Sequence, residues 1–193
     1  MESESRRALM TLIRERAYRY SPDAPFTLAS GATSPFYFDC KAVTLTGRGL
    51  GLLGPVLLEE MKSFPEARVV GGLTLGADPL ATALALCATA QGRDLDAIVI
   101  RKVAKGHGTG KGVEGNVSEG TPAVILDDVV TTGGSTITAI ERAAESGLKI
   151  LGVLVLVDRQ EFDGVVNIEA ALEKVGSPRE VRAVFRAEEF LRD

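Results

Sequence analysis

Two adjacent carboxylates and a run of hydroxyl-bearing residues stand near the middle of the chain, where segment 123–136 reads AVILDDVVTTGGST. The apolar run 123–126 predicts a strand that is buried on both faces of a sheet. Because burying Asp127 and Asp128 would be costly, we expect both to emerge at the carboxyl end of that strand. Open α/β sheets bind their ligands at this end.

The turn 131–136 has the composition of a phosphate site. Backbone N–H groups, hydroxyls and the N-terminus of a following helix, expected from about 137 to 144, together favour a phosphate. Carboxylates beside such a turn suit the hydroxyls of a sugar or a divalent cation such as Mg2+. The alternative is a solvated strand–turn–helix corner, for which two aspartates alone would be a weak signal and the full string a more specific one.

A second candidate is the loop 101–115, which contains four cationic side chains and the only histidine of the chain. They are Arg101, Lys102, Lys105, Lys111 and His107. Five glycines between 106 and 115 make a single resting structure costly in entropy. The composition favours a lid that closes over a polyanion and excludes water. A solvated surface loop is the alternative, although long loops are often functional.

Two superficial motif matches in this loop are rejected. Segment 110–115 fits G-x-G-x-x-G, but no strand leads into it and no helix follows it. The pair Gly110-Lys111 resembles the end of a P-loop, but Lys105 stands where the first glycine belongs and Gly112 replaces the required hydroxyl residue.

Short apolar segments alternate with helical patterns over most of the chain. Strands are predicted at 68–70, 95–100, 123–126 and 148–157, and helices at about 3–19, 46–62, 79–90, 137–144 and 167–174, with a terminal turn at 188–191. This alternation predicts an α/β fold with a central, mostly parallel sheet flanked by helices. The strand ends lead into polar or glycine-rich residues, so one rim of the sheet should collect the candidate chemistry.

The N-terminal part does not follow this alternation. After the first helix, residues 26–43 suggest short strands around a turn. We therefore expect a single domain, 1–193, with a small N-terminal hood over about 1–45 and an α/β core over about 46–193.

Composition narrows the class of protein. The chain has 193 residues, with 22 Lys and Arg against 26 Asp and Glu. The resulting net charge of −4 does not indicate binding to nucleic acid or to an anionic membrane. Cys40 and Cys87 have neither metal-site nor disulfide-framework spacing. No apolar stretch is long enough for a membrane span and no signal-peptide core is visible. We expect a cytoplasmic protein.

Segment 123–136 resembles the phosphoribosyl pyrophosphate (PRPP) signature of the type I phosphoribosyltransferases. The string Arg101-Lys102-x-x-Lys105-x-His107-Gly-Thr is similar to the catalytic loop of the orotate phosphoribosyltransferases. Segments 26–37, 71–81 and 157–161 are similar to that family's hood, pyrophosphate loop and orotate motif. The resemblance spans roughly residues 26 to 161, in the expected order.

The resemblance implies a role for each matching residue. The implied PRPP-binding residues are Arg101, Lys102, Lys105, His107, Asp127, Asp128, Val129, Val130, Thr131, Thr132, Gly133, Gly134 and Ser135. The implied catalytic residues are Lys105, His107, Asp127 and Asp128. Thr131 and Arg159 are implied to bind orotate. Mg2+ would be carried by PRPP near the two aspartates, without a direct protein ligand, and a homodimer would share the loop across its interface.

The implied reaction transfers the 5-phosphoribosyl group of PRPP to N1 of orotate, giving orotidine 5′-monophosphate and pyrophosphate in pyrimidine biosynthesis. One departure from the family pattern is Ala29, where many members carry a hood lysine, and Lys41 is a possible substitute. Three alternatives stay open: a purine-type phosphoribosyltransferase, a PRPP-sensing regulator on the same fold, and an inactive subunit. The lid cations and Arg159 favour orotate, and the absence of a basic face disfavours a nucleic-acid-binding regulator.

Overall fold

The central feature of the computed structural model is a six-stranded sheet; the structure describes residues 3–28, 31, 33–102 and 112–191. The helices are α1 (Glu4–Arg16), α2 (Lys41–Thr44), α3 (Gly47–Glu60), α4 (Ala77–Ala90), α5 (Gly134–Glu145), α6 (Gly164–Lys174) and α7 (Ala187–Leu191). The strands are β1 (Tyr18–Tyr20), β2 (Phe26–Thr27), β3 (Thr33–Ser34), β4 (Phe36–Phe38), β5 (Val69–Leu73), β6 (Asp96–Ile100), β7 (Val113–Glu114), β8 (Pro122–Val130), β9 (Lys149–Asp158) and β10 (Val181–Arg186).

The strand order in the large sheet is β10-β9-β8-β5-β6-β7, and every neighbouring pair is parallel except β6 and β7. The predicted α/β fold with a mostly parallel sheet is confirmed. From β5 the chain first adds β6 on one side and then crosses to β8 on the other. The carboxyl ends of β5 and β8 therefore flank the point at which the winding direction reverses, which is where such sheets leave a crevice for ligands.

Helices cover both faces of this sheet because alternate residues of each strand point to opposite sides. On β8, Val124 and Leu126 belong to one buried cluster, which also contains residues of α1, α3 and α4. Ile125 belongs to the second cluster, with residues of α5 and α6. β8 is thus buried on both faces, as its continuous apolar run predicts.

The hood strands form two small antiparallel pairs, β1 with β4 and β2 with β3. α1 ends at Arg16, three residues before its predicted end, because residues 18–20 pair with β4 instead. The ring of Tyr18 packs 5.0 Å from that of Phe38, which favours this pairing over another helical turn. α1 buries Leu9 and Leu12 in the same cluster as residues of the α/β core. The predicted boundary between hood and core near residue 45 stays a prediction.

Two strands of the six-stranded sheet escaped the sequence prediction, and both lie at its edges. β7 has only two residues and pairs with the end of β6, inside the segment that reads as a loop. β10 pairs with β9, and only Val184 and Phe185 of its residues are buried. Edge strands bury less surface, so their hydrophobic pattern is weaker. Within the described residues, no helix combines the length and the hydrophobicity that crossing a membrane requires.

Candidate active site

Strand β8 does not end with the apolar run 123–126. It continues through both aspartates to Val130, and Val129 and Val130 still pair with β9. Asp127 is only 6% exposed. The expectation that both carboxylates emerge at the carboxyl end of the strand is therefore wrong for Asp127, which is buried within it. Its burial is tolerated because Oδ2 accepts a 2.6 Å hydrogen bond from the Thr136 hydroxyl and Oδ1 accepts one of 3.0 Å from the Asp128 N–H.

Burial changes the ionisation of this pair. Loss of solvent raises the pKa of Asp127 from 3.8 to about 7, and the neighbouring Asp128 charge adds to the increase. Burial also raises the pKa of Asp128, against which the positive charge of Lys41 acts. Lys41 Nζ itself lies 2.9 Å from Asp39 Oδ1. The two carboxylates are held close together in surroundings that favour a partner for their negative charge, such as a hydroxyl donor or a cation.

The turn after β8 is a backbone cradle packed against α6. Gly133 has φ +82°, and a Cβ there would lie 2.8 Å from the carbonyl oxygen of Gly164. Asn167 Nδ2 donates to the carbonyl oxygen of Thr132 at 3.1 Å. α5 begins at Gly134, earlier than predicted, and its first hydrogen bond runs from the Ile137 N–H to Gly133 O. The N–H groups of the first turn have no partner within the helix, so they can bind an anion.

The loop after β5 lies against the second aspartate. A Cβ at Gly72 would overlap the carbonyl oxygen of Leu126, and a Cβ at Gly76 would overlap the carboxylate of Asp128. Glycine at these positions allows the chain to approach β8 closely. The peptide bond between Thr74 and Leu75 is cis. The N-terminus of α4 follows directly, so a second set of backbone N–H groups faces the same rim of the sheet.

Arg159 follows the last residue of β9 and is only 5% exposed. Its Nη2 donates to Ser34 Oγ at 2.8 Å and to Phe36 O at 2.9 Å, and the same atom lies 2.7 Å from Glu161 Oε2. Nη1 lies 3.4 Å from the Thr131 hydroxyl. The structure therefore brings together the two residues that the sequence assigns to orotate.

A cavity of about 400 Å3 joins these parts. Its lining consists of Thr27, Leu28, Tyr37, Phe38, Asp127, Val129, Thr131, Thr132, Gly133, Gly134, Ser135 and Arg159. Eight of these lining residues, from Asp127 to Arg159, are predicted to bind PRPP or orotate, and they share one space. Val130 is 1% exposed and its side chain lies in the core, so only its backbone remains for a ligand.

The lid residues are only partly described. Lys105 and His107 lie outside the described residues, as does Ala29 in the hood. At the base of the lid, the N–H of Arg101 donates to Gly112 O at 3.0 Å, and its Nε donates to Glu114 Oε1 at 3.0 Å. The lid therefore begins and ends on β6 and β7, beside the carboxyl end of β5. Lys102, the next residue, is exposed.

Sequence reasoning missed two residues beside Arg159. Ser34 is 1% exposed and contacts both Arg159 and Glu161. Glu161 stands two residues after Arg159 in the sequence, and this closeness was the signal that could have identified it as a partner of the arginine. Among the described residues, no group of three or more His, Cys, Asp or Glu side chains could hold a metal ion.

Comparison with curated proteins decides the family. The chain is 44% identical over 159 residues to orotate phosphoribosyltransferase of Thermosynechococcus vestitus, covering 82% of either chain. It belongs to the orotate phosphoribosyltransferase family. The family member of Sorangium cellulosum is 40% identical over 171 residues, which is 88% of this chain and 87% of that protein. No protein-family model matches the chain.

Solved structures agree with this family. The orotate phosphoribosyltransferase of Mycobacterium tuberculosis in complex with Fe(III) dicitrate is 34% identical, with a TM-score of 0.78 over 96% of this chain and 98% of that chain. The same enzyme in complex with PRPP is 31% identical, with a TM-score of 0.72 over 97% and 99%. Adenine phosphoribosyltransferase of Trypanosoma brucei is 16% identical with a TM-score of 0.69, and shares the fold.

Proposed function

We propose that this protein is an orotate phosphoribosyltransferase of pyrimidine biosynthesis, which transfers the 5-phosphoribosyl group of PRPP to N1 of orotate. One observation supports this most: a single cavity is lined by a buried carboxylate, a phosphate-type turn and a buried arginine, in the residues Asp127, 131–135 and Arg159. These are the groups that a sugar, a phosphate and an anionic base require.

The turn 131–135 would bind the 5′-phosphate of PRPP. Its hydroxyls and the free N–H groups of α5 are arranged for an anion, and α6 holds the turn in place. This phosphate is remote from the reacting carbon, so its binding energy serves to position C1′. Asp127 and Asp128 would accept hydrogen bonds from the ribose hydroxyls, and their charge would favour the cationic character that the ring acquires.

Arg159 and Thr131 would bind orotate. The guanidinium donates charge-assisted hydrogen bonds to a carboxylate or an exocyclic oxygen. Tyr37, which is 39% exposed and lines the cavity, adds an aromatic surface for a planar ring. Tyr37 and Phe38 belong to the hood, so the hood would contribute to the orotate side of the cavity.

Pyrophosphate leaves with additional negative charge, which needs preorganised donors and cations. The loop 74–76 and the N-terminus of α4 would supply backbone N–H groups. Arg101, Lys102, Lys105 and His107 would supply charge from the lid, and Lys105 or His107 would stabilise or protonate the leaving group. Closure of the lid would exclude water from the reacting carbon.

Mg2+ fits the oxygen-rich chemistry of the aspartate pair. When bound with PRPP, it would supply positive charge beside the pyrophosphate and the ribose hydroxyls. Asp127 and Asp128 would hold it through those hydroxyls. Lys41, whose charge favours the ionised form of Asp128, would support the same position and so compensate for Ala29.

We propose that the active form is a homodimer, in which the lid of one subunit completes the active site of the partner subunit. Three leucines, Leu45, Leu75 and Leu86, are 66% to 73% exposed and would be candidates for contacts in this interface. Mixing the variants Lys105→Ala and Asp127→Asn tests this. Random exchange should restore about a quarter of the parental activity if the lid acts in the partner's site. No recovery of activity would contradict sharing of the lid.

We also propose that the protein acts in the cytoplasm, because the free thiols of Cys40 and Cys87 fit a reducing compartment.

The decisive experiment follows the ultraviolet absorbance of orotate with purified protein, PRPP and Mg2+. A decrease that requires every component and releases pyrophosphate supports the proposal. Adenine, hypoxanthine and guanine in place of orotate test the purine alternative. If PRPP binds but orotate is not consumed, orotate is rejected as the substrate, and the purine and regulator alternatives take its place.

A further inference from the structure

Arg159 is held by a residue of the hood and a residue of the core at once. Ser34, at the end of β3, accepts a hydrogen bond of 2.8 Å from Arg159 Nη2 and donates one of 2.6 Å to Glu161 Oε1. The other carboxylate oxygen of Glu161 lies 2.7 Å from the same Nη2. The three side chains therefore form a closed set of contacts, although Ser34 is 125 residues from Arg159 in sequence.

All three side chains are shielded from water. Ser34 is 1% exposed, and the side chains of Arg159 and Glu161 are 5% and 19% exposed. A buried guanidinium without a counter-charge is costly, and a buried ion pair needs further hydrogen bonds to be stable. Glu161 supplies the counter-charge, while Ser34 and the carbonyl oxygen of Phe36 take the two hydrogens of Nη2.

These contacts all engage Nη2 of the guanidinium and leave Nη1 for a ligand. Nη1 reaches only the Thr131 hydroxyl, at 3.4 Å, and Nε is buried with no hydrogen-bond partner among the described residues. Arg159 and Thr131 line the cavity, but Ser34 and Glu161 do not. The Nη1 group of a charge-neutralised arginine thus stays available at the cavity, in an orientation set by the contacts of Nη2.

The backbone around Glu161 is unusual in a way that fits this arrangement. Gln160, Phe162 and Asp163 have φ values of +55°, +53° and +53°, a region that residues other than glycine rarely adopt. Gln160 Oε1 also accepts a 3.1 Å hydrogen bond from the Glu188 N–H. Strained segments persist where surrounding contacts hold them, and they cluster at functional sites.

We propose that Ser34 and Glu161 are positioning residues, which join the hood to the core and orient Arg159 so that Nη1 faces the carboxylate of orotate. This inference rests on the proposed function. Neither residue touches the substrate. Their effect is to fix the direction of the donors, and it should therefore appear in the binding of orotate and not in the binding of PRPP.

Two variants separate charge from hydrogen bonding. Glu161→Gln keeps an oxygen that can accept from Ser34 but removes the counter-charge of Arg159. Ser34→Ala keeps that charge but removes the hydroxyl that links the two. Glu60→Gln is the matched control. Glu60 Oε2 lies 2.9 Å from Arg182 Nη2, and this ion pair does not line the cavity.

Loss of a charge-assisted contact should raise KM for orotate about tenfold or more in Glu161→Gln and by a smaller factor in Ser34→Ala. KM for PRPP should stay within about twofold of the parent in both, as should both constants in Glu60→Gln. KM for uracil, which lacks the carboxylate, should rise by a smaller factor than KM for orotate does. Calorimetric titration with orotidine 5′-monophosphate should show the same order of affinity losses.

Equal effects of Glu161→Gln and Glu60→Gln would overturn the inference, as would equal losses for orotate and uracil or a parallel rise in KM for PRPP. If Glu161→Gln does not fold, Ser34→Ala carries the test by the same measurements. Parental protein that does not consume orotate would instead refute the proposed function. Parental activity with unchanged orotate kinetics in both variants would refute only the positioning role.

Discussion

Replacement of Asp127 by asparagine should make the protein more stable at neutral and alkaline pH. The side chain is 6% exposed, and its pKa is raised from 3.8 to about 7 by burial. Between these values the unfolded chain has lost the proton that the folded chain retains. The free energy of unfolding of the parent therefore falls as pH rises through this window, and the loss is complete above pH 7.

The magnitude follows from the size of the shift. About three pKa units at 1.36 kcal/mol each give a penalty of about 4 kcal/mol at pH 8, and of about 2 kcal/mol at pH 5, where the titration is incomplete. Asparagine has no such penalty. Its Oδ1 can still accept from the Asp128 N–H, and its amide can donate to the Thr136 hydroxyl, which then acts as an acceptor.

Urea unfolding of the parent and Asp127→Asn at pH 5 and pH 8, without ligands, measures this difference. The variant should gain about 4 kcal/mol at pH 8 and about 2 kcal/mol at pH 5. Asp96→Asn, an exposed aspartate on β6, is the control and should change stability by less than about 0.5 kcal/mol. A variant that is no more stable at pH 8, or whose gain is the same at both pH values, would refute the reasoning.

Three further predictions concern the cradle, the lid and the orotate site. Gly133→Ala should lose about 2 kcal/mol or more of stability in thermal or urea unfolding, because of its φ of +82° and the contact with the Gly164 carbonyl. Gly51→Ala, inside α3 with open space around it, should instead gain up to about 1 kcal/mol, and equal losses in the two variants would contradict this account. Lys105→Ala and His107→Ala should each lower kcat about a hundredfold with little change in KM for orotate, and full activity in both would exclude the lid role. Arg159→Lys should raise KM for orotate about tenfold, since lysine lacks the guanidinium fork; an unchanged KM in steady-state assays would remove Arg159 from the orotate site.

The phosphate turn and its aspartates could be located from the sequence because their chemistry is local. A strand, two acids and a glycine-rich turn before a helix occupy 14 consecutive residues, and the chain geometry alone brings them to one rim. Arg159 could be placed there by the same logic, since the carboxyl ends of parallel strands meet at one edge.

The tertiary structure decided what surrounds these residues. Asp127 is buried because Thr136, on the following helix, folds back to donate to it, and an apolar pattern does not reveal such a bond. Ser34 meets Glu161 across 127 residues of sequence. The edge strand β10 pairs with β9 although half of its residues remain partly exposed.

The sequence by itself therefore determined the fold class, the rim that carries the chemistry and the residues of the core, from Asp127 to Arg159, that line the cavity. Only the tertiary structure decided the burial of Asp127, the orientation of Arg159 and the glycine contacts that bring β5 against β8. The physical reason is the distance along the chain over which each property is determined. Strand, turn and helix patterns follow from neighbouring residues, whereas ionisation and side-chain direction depend on solvent exclusion and partners contributed by distant parts of the chain.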